Sequence, residues 1–399
     1  MKIIIITDWF SENMGYAENL LPKFLALQNM DVHLITSTAQ IYYNSPFYAK
    51  TYESYLGPAI VEPCVKELDG YILHRLPLDY NKQLAIQDLQ KYLYKLKPDI
   101  IQTFVIYNDS TFKSAKYCHR TGAKLFTASH IHASVYSSED SQYKSLRGKI
   151  QLFFRNREMD FINKTTVTCY PIAKDAANIA INYFRVPENK IKIQSLGVDT
   201  SIFFPAPENF QKEQGAKIRK DMGINKEDLV CIYTGRFAPD KKPNCLADAV
   251  DYLRKQGKKV KGLFVGKGTP DEINYIRSKE GCIVKDFVPL RDLPKFYWIA
   301  DIGVWPAQES TSQLDAAACG LPLILSNKIQ VSERVDGNGL LYEENNEKKL
   351  ADAIMKLMDN KKRTIMGKIG IEKIKNNYSW EKITKDRIVD YSIALKRYK

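Results

Sequence analysis

The stretch "DIGVWPAQESTSQLDAAACGLPLIL", residues 301–325, changes character three times along its length. An apolar run at 301–305 gives way to polar residues at 310–312, then to the small side chains of 316–320, and finally to a second apolar run at 321–325. Short apolar runs on either side of a helical segment are typical of a strand–helix–strand unit in a parallel sheet. We predict strands at both runs, joined by a helix that begins around residues 310–312 and packs tightly beneath the following strand.

The same alternation of strand and helix runs along the whole chain. Near-continuous apolar strands indicate parallel sheets covered on both faces, so the fold class is α/β with two Rossmann-like, doubly wound domains. Ligands of such domains lie at the carboxyl ends of the strands. The predicted strands are 2–7, 31–36, 98–104, 124–129, 165–170 and 190–195 in the first half, and 229–234, 260–265, 282–287, 301–305 and 321–325 in the second.

A linker at 197–210 separates the two halves, because it contains two prolines and loses the periodicity of its neighbours. We predict an N-terminal domain over 1–200 and a C-terminal domain over 201–379, with a cleft between them. The amphipathic tail, about 380–399, is a candidate to cross back to the first domain.

The composition describes a soluble globular protein. The apolar run Ile3 to Ile6 is too short for the core of a signal peptide, and no segment approaches the roughly 20 residues that span a bilayer. Seven scattered cysteines without a Cys-x-x-Cys pair indicate reduced thiols, a cytoplasmic location and no structural zinc.

The net charge of +13 calls for an anionic partner. Nucleic acid is the weakest choice, because no helix-turn-helix, zinc knuckle or aromatic–basic RNA motif is present. The segment 144–161 mixes basic residues, Lys144 among them, with Phe153 and Phe154, which is the pattern of a helix on an anionic membrane surface. A solvated helix with one core-facing side explains the same pattern.

The first strand is followed by a loop that contains Gly15, at the start of the next helix. Backbone amides there could hold an anion or approach a sugar closely, although a single glycine is usually only a turn residue. The three-glycine dinucleotide fingerprint is absent, so we expect no nicotinamide or flavin cofactor.

Two cations follow the strand at 229–234, namely Arg236 and Lys241. A guanidinium fork and an ammonium group together suit a diphosphate and would stabilise it as it leaves. Exposed basic residues are usually just solvated, but the end of a strand is where a ligand is expected. The nearby "FVGKG" at 264–268 is another strand followed by a glycine turn.

The polar turn at 310–312 allows two interpretations. Ser312 and Asp315 have the spacing of a capping box, which is the structural explanation of Asp315. The functional explanation is that the amides of Ser310, Thr311 and Ser312 bind phosphate or sugar oxygens, while the Glu309 carboxylate accepts hydrogen bonds from sugar hydroxyls.

Taken together, these segments resemble the retaining GT-B glycosyltransferases of family 4. The segment "GRFAPDKK" at 235–242 is similar to the family's donor-diphosphate motif, and "LDAAACGLPLILSN" at 314–327 is similar to its signature helix. The resemblance implies a diphosphate-binding role for Arg236 and Lys241, and it puts Asp315 where the family has a ribose-binding Glu. The other segments that resemble the family are "SLGVD" at 195–199, "SERVDGNGLLY" at 332–342, "NYSWEKI" at 377–383, and "FTASHIHAS" at 126–134, whose His130 matches a histidine near the transferred sugar.

The acidic pair departs from the family pattern. The family has seven residues between its two glutamates, whereas Glu309 and Asp315 have five between them, and the usual spacing would put the first acid at Ala307. Either the loop is shorter and Glu309 keeps the role of holding the donor sugar, or that acid has been lost. Of the two neighbouring histidines, His130 fits the strand end better than His132.

The resemblance implies transfer of a hexose-type sugar, with retention, from a UDP- or GDP-sugar to a saccharide or lipid-linked saccharide, in cell-surface polysaccharide or glycolipid assembly. It implies neither a metal nor a further cofactor, and an acceptor bound over the first domain near Gly15 and His130. A peripheral position at the inner membrane face would explain the basic segment. The alternatives are a non-catalytic GT-B partner subunit of an active transferase, and a different GT-B enzyme such as a phosphorylase or epimerase.

Overall fold

The computed structural model of the protein describes residues 1–12, 14–79, 85–132 and 146–396. The chain divides into two compact units. The first unit comprises Met1–Ser195 and Ile383–Lys399, and the second comprises Leu196–Lys382.

The described part of the first unit forms a seven-stranded sheet with the strand order β3-β4-β2-β1-β7-β8-β9. All neighbouring strands are parallel except β3 and β4, which form an antiparallel pair at one edge. A short ribbon of β5 and β6 lies outside this sheet. The elements are β1 Lys2–Ile6, α1 Ala17–Ala26, β2 Asp31–Ser37, α2 Tyr48–Thr51, α3 Glu53–Leu56, β3 Cys64–Leu68, β4 Tyr71–Leu76, β5 Leu78–Asp79, β6 Ala85–Ile86, α4 Leu89–Leu96, β7 Ile100–Thr103, α5 Asp109–Thr121, β8 Lys124–Ser129, α6 Leu146–Thr165, β9 Thr166–Pro171 and α7 Lys174–Asn182.

The second unit forms a six-stranded sheet with the order β12-β11-β10-β13-β14-β15, and all its neighbouring strands are parallel. The C-terminal helix α15 begins in the second unit and belongs to the first from Ile383 onward. The elements are α8 Gly215–Asp221, β10 Leu229–Thr234, α9 Pro243–Lys255, β11 Val260–Val265, α10 Pro270–Arg277, β12 Cys282–Lys285, α11 Pro294–Trp298, β13 Ile302–Trp305, α12 Ser312–Ala318, β14 Leu323–Ser326, β15 Gly339–Tyr342, α13 Glu347–Lys356, α14 Asn360–Lys373 and α15 Trp380–Lys396.

Ten of the eleven predicted strands correspond to observed strands, and the strand predicted at 190–195 is wrong. Lys192 and Gln194 do donate backbone N–H bonds, to the carbonyl oxygens of Cys169 and Pro171. A parallel ladder would require the N–H of residue 171 to donate back to Lys192, and proline has none. The segment therefore runs beside β9 with only an isolated bridge between Cys169 and Ile191.

Helix α15 is fixed to the first unit by buried polar contacts. The guanidinium of Arg387, which is 4% exposed, donates to the side-chain oxygens of Gln194 at 2.6 Å and Gln102 at 2.9 Å, and it lies 4.2 Å from the ring centroid of Tyr170. The Tyr170 hydroxyl donates to Asp390 at 2.8 Å. Buried hydrogen bonds to a charged group are costly to leave unmade, so these contacts specify where the helix docks.

A buried histidine pair joins β2 to β4. His33 Nε2 lies 3.1 Å from Asp31 Oδ1, so it carries the hydrogen, and His33 Nδ1 accepts from His74 Nε2 at 2.9 Å. His74 Nδ1 is buried without a partner among the described residues. Burial, together with repulsion from His33 and Lys95, lowers the pKa of His74 from 6.5 to about 4.

This pair should make the protein sensitive to acid. An unfolded histidine binds its proton near pH 6.5, whereas folded His74 resists protonation until about pH 4, so stability is lost as the pH falls below 6.5. We expect the free energy of unfolding to fall by about 2 kcal/mol from this site between pH 7 and pH 5, measured by urea titration. His74→Gln keeps a hydrogen-bond donor to His33 but cannot titrate. It should therefore reduce the slope of the free energy of unfolding against pH. The control His119→Gln, at an exposed histidine, should leave this slope unaltered. An equal slope in both variants would contradict the assignment of the acid sensitivity to His74.

Candidate functional site

The turn that follows β13 is held from several sides. Gln308 has a left-handed backbone with φ of 57°, and its carbonyl oxygen accepts from the side chain of Gln313 at 3.0 Å. The hydroxyl of Tyr342, at the end of β15, donates to the carbonyl of Pro306 at 2.7 Å. Two parallel strands therefore fix the start of this turn, and the residues after it project at the carboxyl edge of the second sheet.

A buried guanidinium supports the same turn from beneath. Arg334 is 4% exposed and donates through Nη1 to the Ser310 carbonyl and to the Gln313 side-chain oxygen, both at 3.0 Å. Its Nε is buried without a partner among the described residues, and burial lowers the pKa of this guanidinium. Arg334 was not predicted to belong to the site, because an arginine in the loop "SERVDG" is ordinarily a surface residue.

The predicted capping box at Ser312 and Asp315 is wrong. Helix α12 begins at Ser312, its N-cap residue is Thr311, and no side chain caps it. The Ser312 hydroxyl lies 2.7 Å from that of Ser310 and donates instead to the Thr234 carbonyl at the end of β10, at 3.2 Å. The structural explanation of Asp315 therefore fails.

Small residues let α12 pack closely on two sides. A Cβ on Gly303 of β13 would lie 3.3 Å from the Cβ of Ala316, and a Cβ on Gly367 of α14 would lie 2.2 Å from the Gly320 carbonyl oxygen. The small residues do allow close packing, but these two approaches are to the preceding strand β13 and to the helix α14, whereas the prediction named the following strand. A close-packed helix of this kind holds the turn before it in one position.

The predicted diphosphate cations lie at the end of β10, next to β13. Lys241 Nζ donates to the Glu309 carbonyl oxygen at 3.2 Å, which ties the two loops together. Burial lowers the pKa of Lys241, and the nearby Arg236 lowers it further, while Asp240 and Glu309 oppose the shift. Arg236 itself is exposed, with Asp240 at 3.7 Å.

The carboxylate of Glu309 is engaged by the backbone of the next loop. Its Oε1 accepts the N–H of Gln330 at 2.7 Å. Glu309 therefore contacts Lys241 through its carbonyl and the loop after β14 through its side chain, and it is half-buried. This geometry brings Glu309, Ser310, Lys241 and Arg334 together in one small region.

The glycine turn after β11 permits a close approach between two loops. Gly266 has φ of 154°, and a Cβ there would lie 1.9 Å from the carbonyl oxygen of Gly235, which directly precedes Arg236. Any side chain at residue 266 would therefore displace the loop that carries Arg236. This close approach explains the glycine of "FVGKG" without assigning it a ligand.

Asp315 is half-buried in α12 and faces other acidic or ionisable groups. Burial raises the pKa of its carboxyl well above the usual value, and the negative charge of Asp199 raises it further. The pKa values of Tyr297 and Cys319 are also raised, by burial first and by Asp315 second. A carboxyl in such surroundings gains most from a ligand that donates hydrogen bonds to it.

The sequence analysis also missed a second polar cluster at this edge. The carboxylate of Glu344 accepts from Lys242 Nζ at 2.7 Å and from the Ser326 hydroxyl at 2.6 Å. Burial alone would raise the pKa of the Glu344 carboxyl. The hydrogen bonds from Lys242 and Ser326 have the larger combined effect, so this pKa is lowered. Lys242 directly follows Lys241, so the ion pair between Lys242 and Glu344 fixes the loop that carries Lys241, a residue predicted to bind the diphosphate.

The other two predicted residues lie in the first unit. His130 directly follows β8, and Gly15 lies between β1 and α1, so both belong to the carboxyl edge of the first sheet. Burial, with the charges of Arg387 and His132, lowers the pKa of His130 to about 3, so the imidazole is neutral at physiological pH. His132 instead lies 3.0 Å from Asp175, with which it pairs.

Asp8 is a further group at this edge that the sequence analysis did not identify. It follows β1, is 5% exposed, and accepts hydrogen bonds from Asn108 and Ser110. Burial raises the pKa of Asp8 to about 6, although both hydrogen bonds oppose the shift. A lone Asp after a strand gives no signal in the sequence, because its burial depends on α5 packing over it.

The helix α6 carries an exposed apolar face. Ile150, Phe153 and Phe154 are 51%, 57% and 60% exposed, while Met159 and Ile162 on the opposite side are buried. Lys144 of the basic segment lies outside the described residues. None of the helices in the described part of the chain is long and apolar enough to cross a membrane.

Part of the second unit matches a known family. Residues 228–360 match the family described as Glycosyl transferases group 1. The chain is 26% identical over 324 residues to the Escherichia coli UDP-Gal:alpha-D-GlcNAc-diphosphoundecaprenol alpha-1,3-galactosyltransferase, covering 78% of this chain and 79% of that protein.

Solved structures show the same fold. A glycosyltransferase from Rickettsia africae superposes with a TM-score of 0.73 at 15% identity, covering 99% of this chain and 98% of that one. The Anabaena protein HepE, solved in complex with UDP, superposes with a TM-score of 0.69 at 16% identity, covering 98% of this chain and all of the other. The predicted fold, two parallel-sheet α/β domains as in GT-B glycosyltransferases, is confirmed, and so is the predicted resemblance to that class.

Replacing Asp315 tests whether its buried carboxyl destabilises the folded protein. A carboxyl whose pKa is raised on folding lowers the stability of the folded state as the pH rises above the usual value of 3.8. We therefore expect Asp315→Asn to raise the free energy of unfolding at pH 7, measured by urea titration.

Asp301→Asn provides the matched contrast. The carboxylate of Asp301 accepts bonds from Arg219 at 3.2 Å and from the N–H of Val230 at 2.9 Å, so its replacement should lower stability. A loss of stability in Asp315→Asn would show that its carboxyl is stabilised within the protein and would contradict the assignment.

Proposed function

We propose that this protein transfers a hexose-type sugar from a nucleotide diphosphate sugar to a saccharide or lipid-linked saccharide, with retention of configuration, because residues 228–360 match the family described as Glycosyl transferases group 1. One observation carries the proposal, namely the convergence of Lys241, Glu309, Ser310 and Arg334 at the carboxyl edge of the second sheet. The name of the E. coli relative, which uses UDP-Gal and a diphosphoundecaprenol-linked acceptor, supports it. HepE was solved with UDP, which supports a nucleotide-bound donor.

The donor diphosphate is assigned to Arg236 and Lys241. Lys241 is partly removed from water, and among the described residues its ammonium donates a hydrogen bond to a backbone carbonyl oxygen, that of Glu309. A phosphate oxygen would replace that weak partner with a full charge, and Arg236 would offer a second contact from its exposed position. The backbone amides of Ser310, Thr311 and Ser312 lie on the adjacent turn and would contact the remaining phosphate oxygens.

The two acids are assigned to the sugars of the donor. Asp315 would accept hydrogen bonds from the ribose hydroxyls, which would relieve the cost of its burial beside Asp199. Glu309 would hold the transferred sugar, and its carboxylate keeps one oxygen for that contact while Oε1 accepts from Gln330.

Retention follows from attack on the face that the nucleotide leaves, with a donor phosphate oxygen taking the proton of the acceptor. No protein nucleophile is needed, and the positive charge that stabilises the leaving diphosphate comes from Arg236 and Lys241 rather than from a metal. The nucleotide diphosphate sugar acts as co-substrate, and the reaction uses no further cofactor. His130, neutral because of its burial, would bind a sugar hydroxyl without adding charge.

The acceptor is assigned to the carboxyl edge of the first sheet, near Gly15 and His130. The product would belong to a cell-surface polysaccharide or glycolipid. The exposed face of α6 supports a position at the cytoplasmic membrane surface, because three large apolar side chains there lie beside Arg157, whose guanidinium is 5.7 Å from the ring of Phe153.

One observation favours a second function. The carboxylate of Glu309 is bonded to Gln330 within the protein, and its distance in sequence from Asp315 is shorter than in the family pattern. A non-catalytic GT-B partner subunit would show the same features. Such a subunit would neither bind nucleotide sugars in calorimetry nor hydrolyse them when incubated alone.

Donor binding is tested with the double variant Arg236→Ala, Lys241→Ala. In EDTA, at least one of a panel of UDP-, GDP- and ADP-sugars should raise the melting temperature of the unaltered protein, because a bound ligand stabilises the folded state. The double variant should bind that donor at least tenfold more weakly and should hydrolyse it correspondingly slowly, since two charge-assisted contacts are lost.

Lys255→Ala is the matched control. Lys255 is 68% exposed and pairs with Asp251 four residues earlier, just as Arg236 is 67% exposed and pairs with Asp240 four residues later. The control should bind the donor normally. Full activity in the double variant would refute the donor assignment, and an unaltered protein that binds none of the panel would refute the transfer function.

Membrane binding is tested by sedimentation with vesicles. The protein should bind vesicles that contain phosphatidylglycerol, lose binding as salt is raised, and bind pure phosphatidylcholine weakly. Phe153→Ser, Phe154→Ser should weaken binding at least tenfold, because two aromatic side chains no longer enter the interface. Ile365→Ser, at a residue 61% exposed in the second unit, should have no effect. Indifference to anionic lipid would contradict the proposal.

A further inference from the structure

The loops that follow β1 and β2 carry a group of tyrosines that the proposed reaction does not use. Six of the seventeen residues at 41–57 are aromatic, and this fraction is about three times the 11% found in the whole chain. Both loops leave the carboxyl edge of the first sheet, on which Gly15 and His130 also lie. The group, called the tyrosine cluster below, consists of Tyr16, Tyr42, Tyr48, Tyr52 and Tyr55.

The rings of the cluster contact one another in a chain. Tyr42 stacks on Tyr52 with centroids 4.7 Å apart and planes 21° apart, and Tyr52 meets Tyr48 at 5.9 Å and Tyr55 at 6.1 Å. The hydroxyls of Tyr16 and Tyr42 are 3.2 Å apart, so one donates to the other. The two loops are thereby joined through side chains at their outer ends.

Buried hydrogen bonds hold these loops in place beneath the rings. The Ser11 hydroxyl donates to the side-chain oxygen of Gln40 at 2.7 Å, and the amide nitrogen of Gln40 donates to the Leu56 carbonyl at 2.7 Å. The hydroxyl of Tyr48, whose ring is buried, donates to the Gly57 carbonyl at 3.0 Å. The outer rings therefore stand on a fixed base, which suits a binding site more than a mobile surface loop does.

The outer rings are exposed although they are large and apolar. Tyr16, Tyr42 and Tyr55 are 39%, 45% and 37% exposed, and the nearby Phe47 is 66% exposed. Tyr42 also has a left-handed backbone with φ of 60°, a conformation that is rare and unfavourable for an aromatic residue. A strained residue that keeps a ring in solvent is a reason to look for a ligand.

We propose that the tyrosine cluster is a subsite for a pyranose ring of the acceptor saccharide. The C–H face of the sugar would pack on the exposed ring of Tyr42, with Tyr55 at its side, and the hydroxyls of Tyr16 and Tyr42 would bond to sugar hydroxyls. Tyrosine suits this task because its ring is apolar and its hydroxyl both donates and accepts. This inference rests on the proposed transfer function. It states that the part of the acceptor bound at the tyrosine cluster is an uncharged sugar.

The charges around the cluster favour a neutral sugar over an anionic ligand. The segment 41–57 contains one basic residue, Lys50, and one acidic residue, Glu53, and the acidic Glu18 acts on Tyr16 of the other loop, although the chain as a whole carries a net charge of +13. An anionic lipid or a nucleic acid would be drawn to basic residues, which are concentrated elsewhere. Stacked rings that carry hydroxyls, with no excess of basic residues around them, match a carbohydrate.

The test measures the binding of simple sugars without any donor. The probes are methyl α- and β-glycosides of glucose, galactose, mannose and N-acetylglucosamine, measured by saturation-transfer NMR and titration. At least one should bind the unaltered protein, and Tyr42→Asn should weaken that binding at least tenfold. Asparagine tolerates the left-handed backbone, so the loop keeps its conformation while the ring is removed. Tyr94→Asn, at a tyrosine 42% exposed on α4, is the control and should bind as the unaltered protein does.

Binding of the nucleotide sugar, followed separately by thermal shift, distinguishes the two proposals. Normal donor binding in Tyr42→Asn with loss of glycoside binding supports the subsite. Normal donor binding with no glycoside bound by the unaltered protein, or with equal binding in Tyr42→Asn, overturns the subsite and leaves the transfer function standing. A cluster that instead serves a membrane or a second copy of the chain would show Tyr42-dependent vesicle binding or dimerisation without sugar binding, which also overturns it.

Discussion

Parallel pairing of the strands is the constraint on which both units depend. Parallel neighbours must be joined by a crossover, so every strand in such a sheet delivers its following loop to the same edge. In the second unit this brings the loops after β10, β13 and β14 together, although Lys241, Glu309 and Gln330 are far apart in sequence. In the first unit it gathers the loops after β1, β2 and β8. The antiparallel strand β3 lies at the sheet's edge, where it does not disturb this order.

Two cations of the second unit, Arg334 and Lys241, donate their described hydrogen bonds to uncharged oxygens, although carboxylates lie near both. Arg334 bonds to a backbone carbonyl and an amide oxygen, and Lys241 bonds to another carbonyl, so neither charge is neutralised by these contacts. Burying a charge is expensive unless it is paired, and the lowered pKa values of both groups reflect that cost. A dianionic diphosphate would supply the missing charge. The turn at 308–313 is therefore arranged around positive charge before any ligand binds.

The parts that the sequence predicts well are those with a local cause. The apolar runs predict the strands, and the small residues at 316–320 predict a closely packed helix. The capping box at Ser312 was wrong because a carbonyl on another strand, that of Thr234, competes for the hydroxyl. The strands β3, β4 and β15 were not predicted, and the importance of Arg334 and Asp8 depends on burial by distant segments. Such burial has no local pattern in a single sequence.

Under the proposed donor assignment, Asp315 sets the stability of the folded protein against the binding of the ribose. A Ser-x-x-Asp pattern could have capped α12 and stabilised it, yet the carboxyl is instead held near Asp199, where burial and repulsion raise its pKa. Protein sites keep unfavourable groups of this kind when a ligand relieves the cost. A ribose diol donates two hydrogen bonds and carries no charge, so it would satisfy the carboxyl without adding repulsion. The same reasoning applies to Lys241, whose pKa is lowered by burial although Asp240 and Glu309 lie near it, and which donates to the carbonyl oxygen of Glu309 in the turn at 308–313.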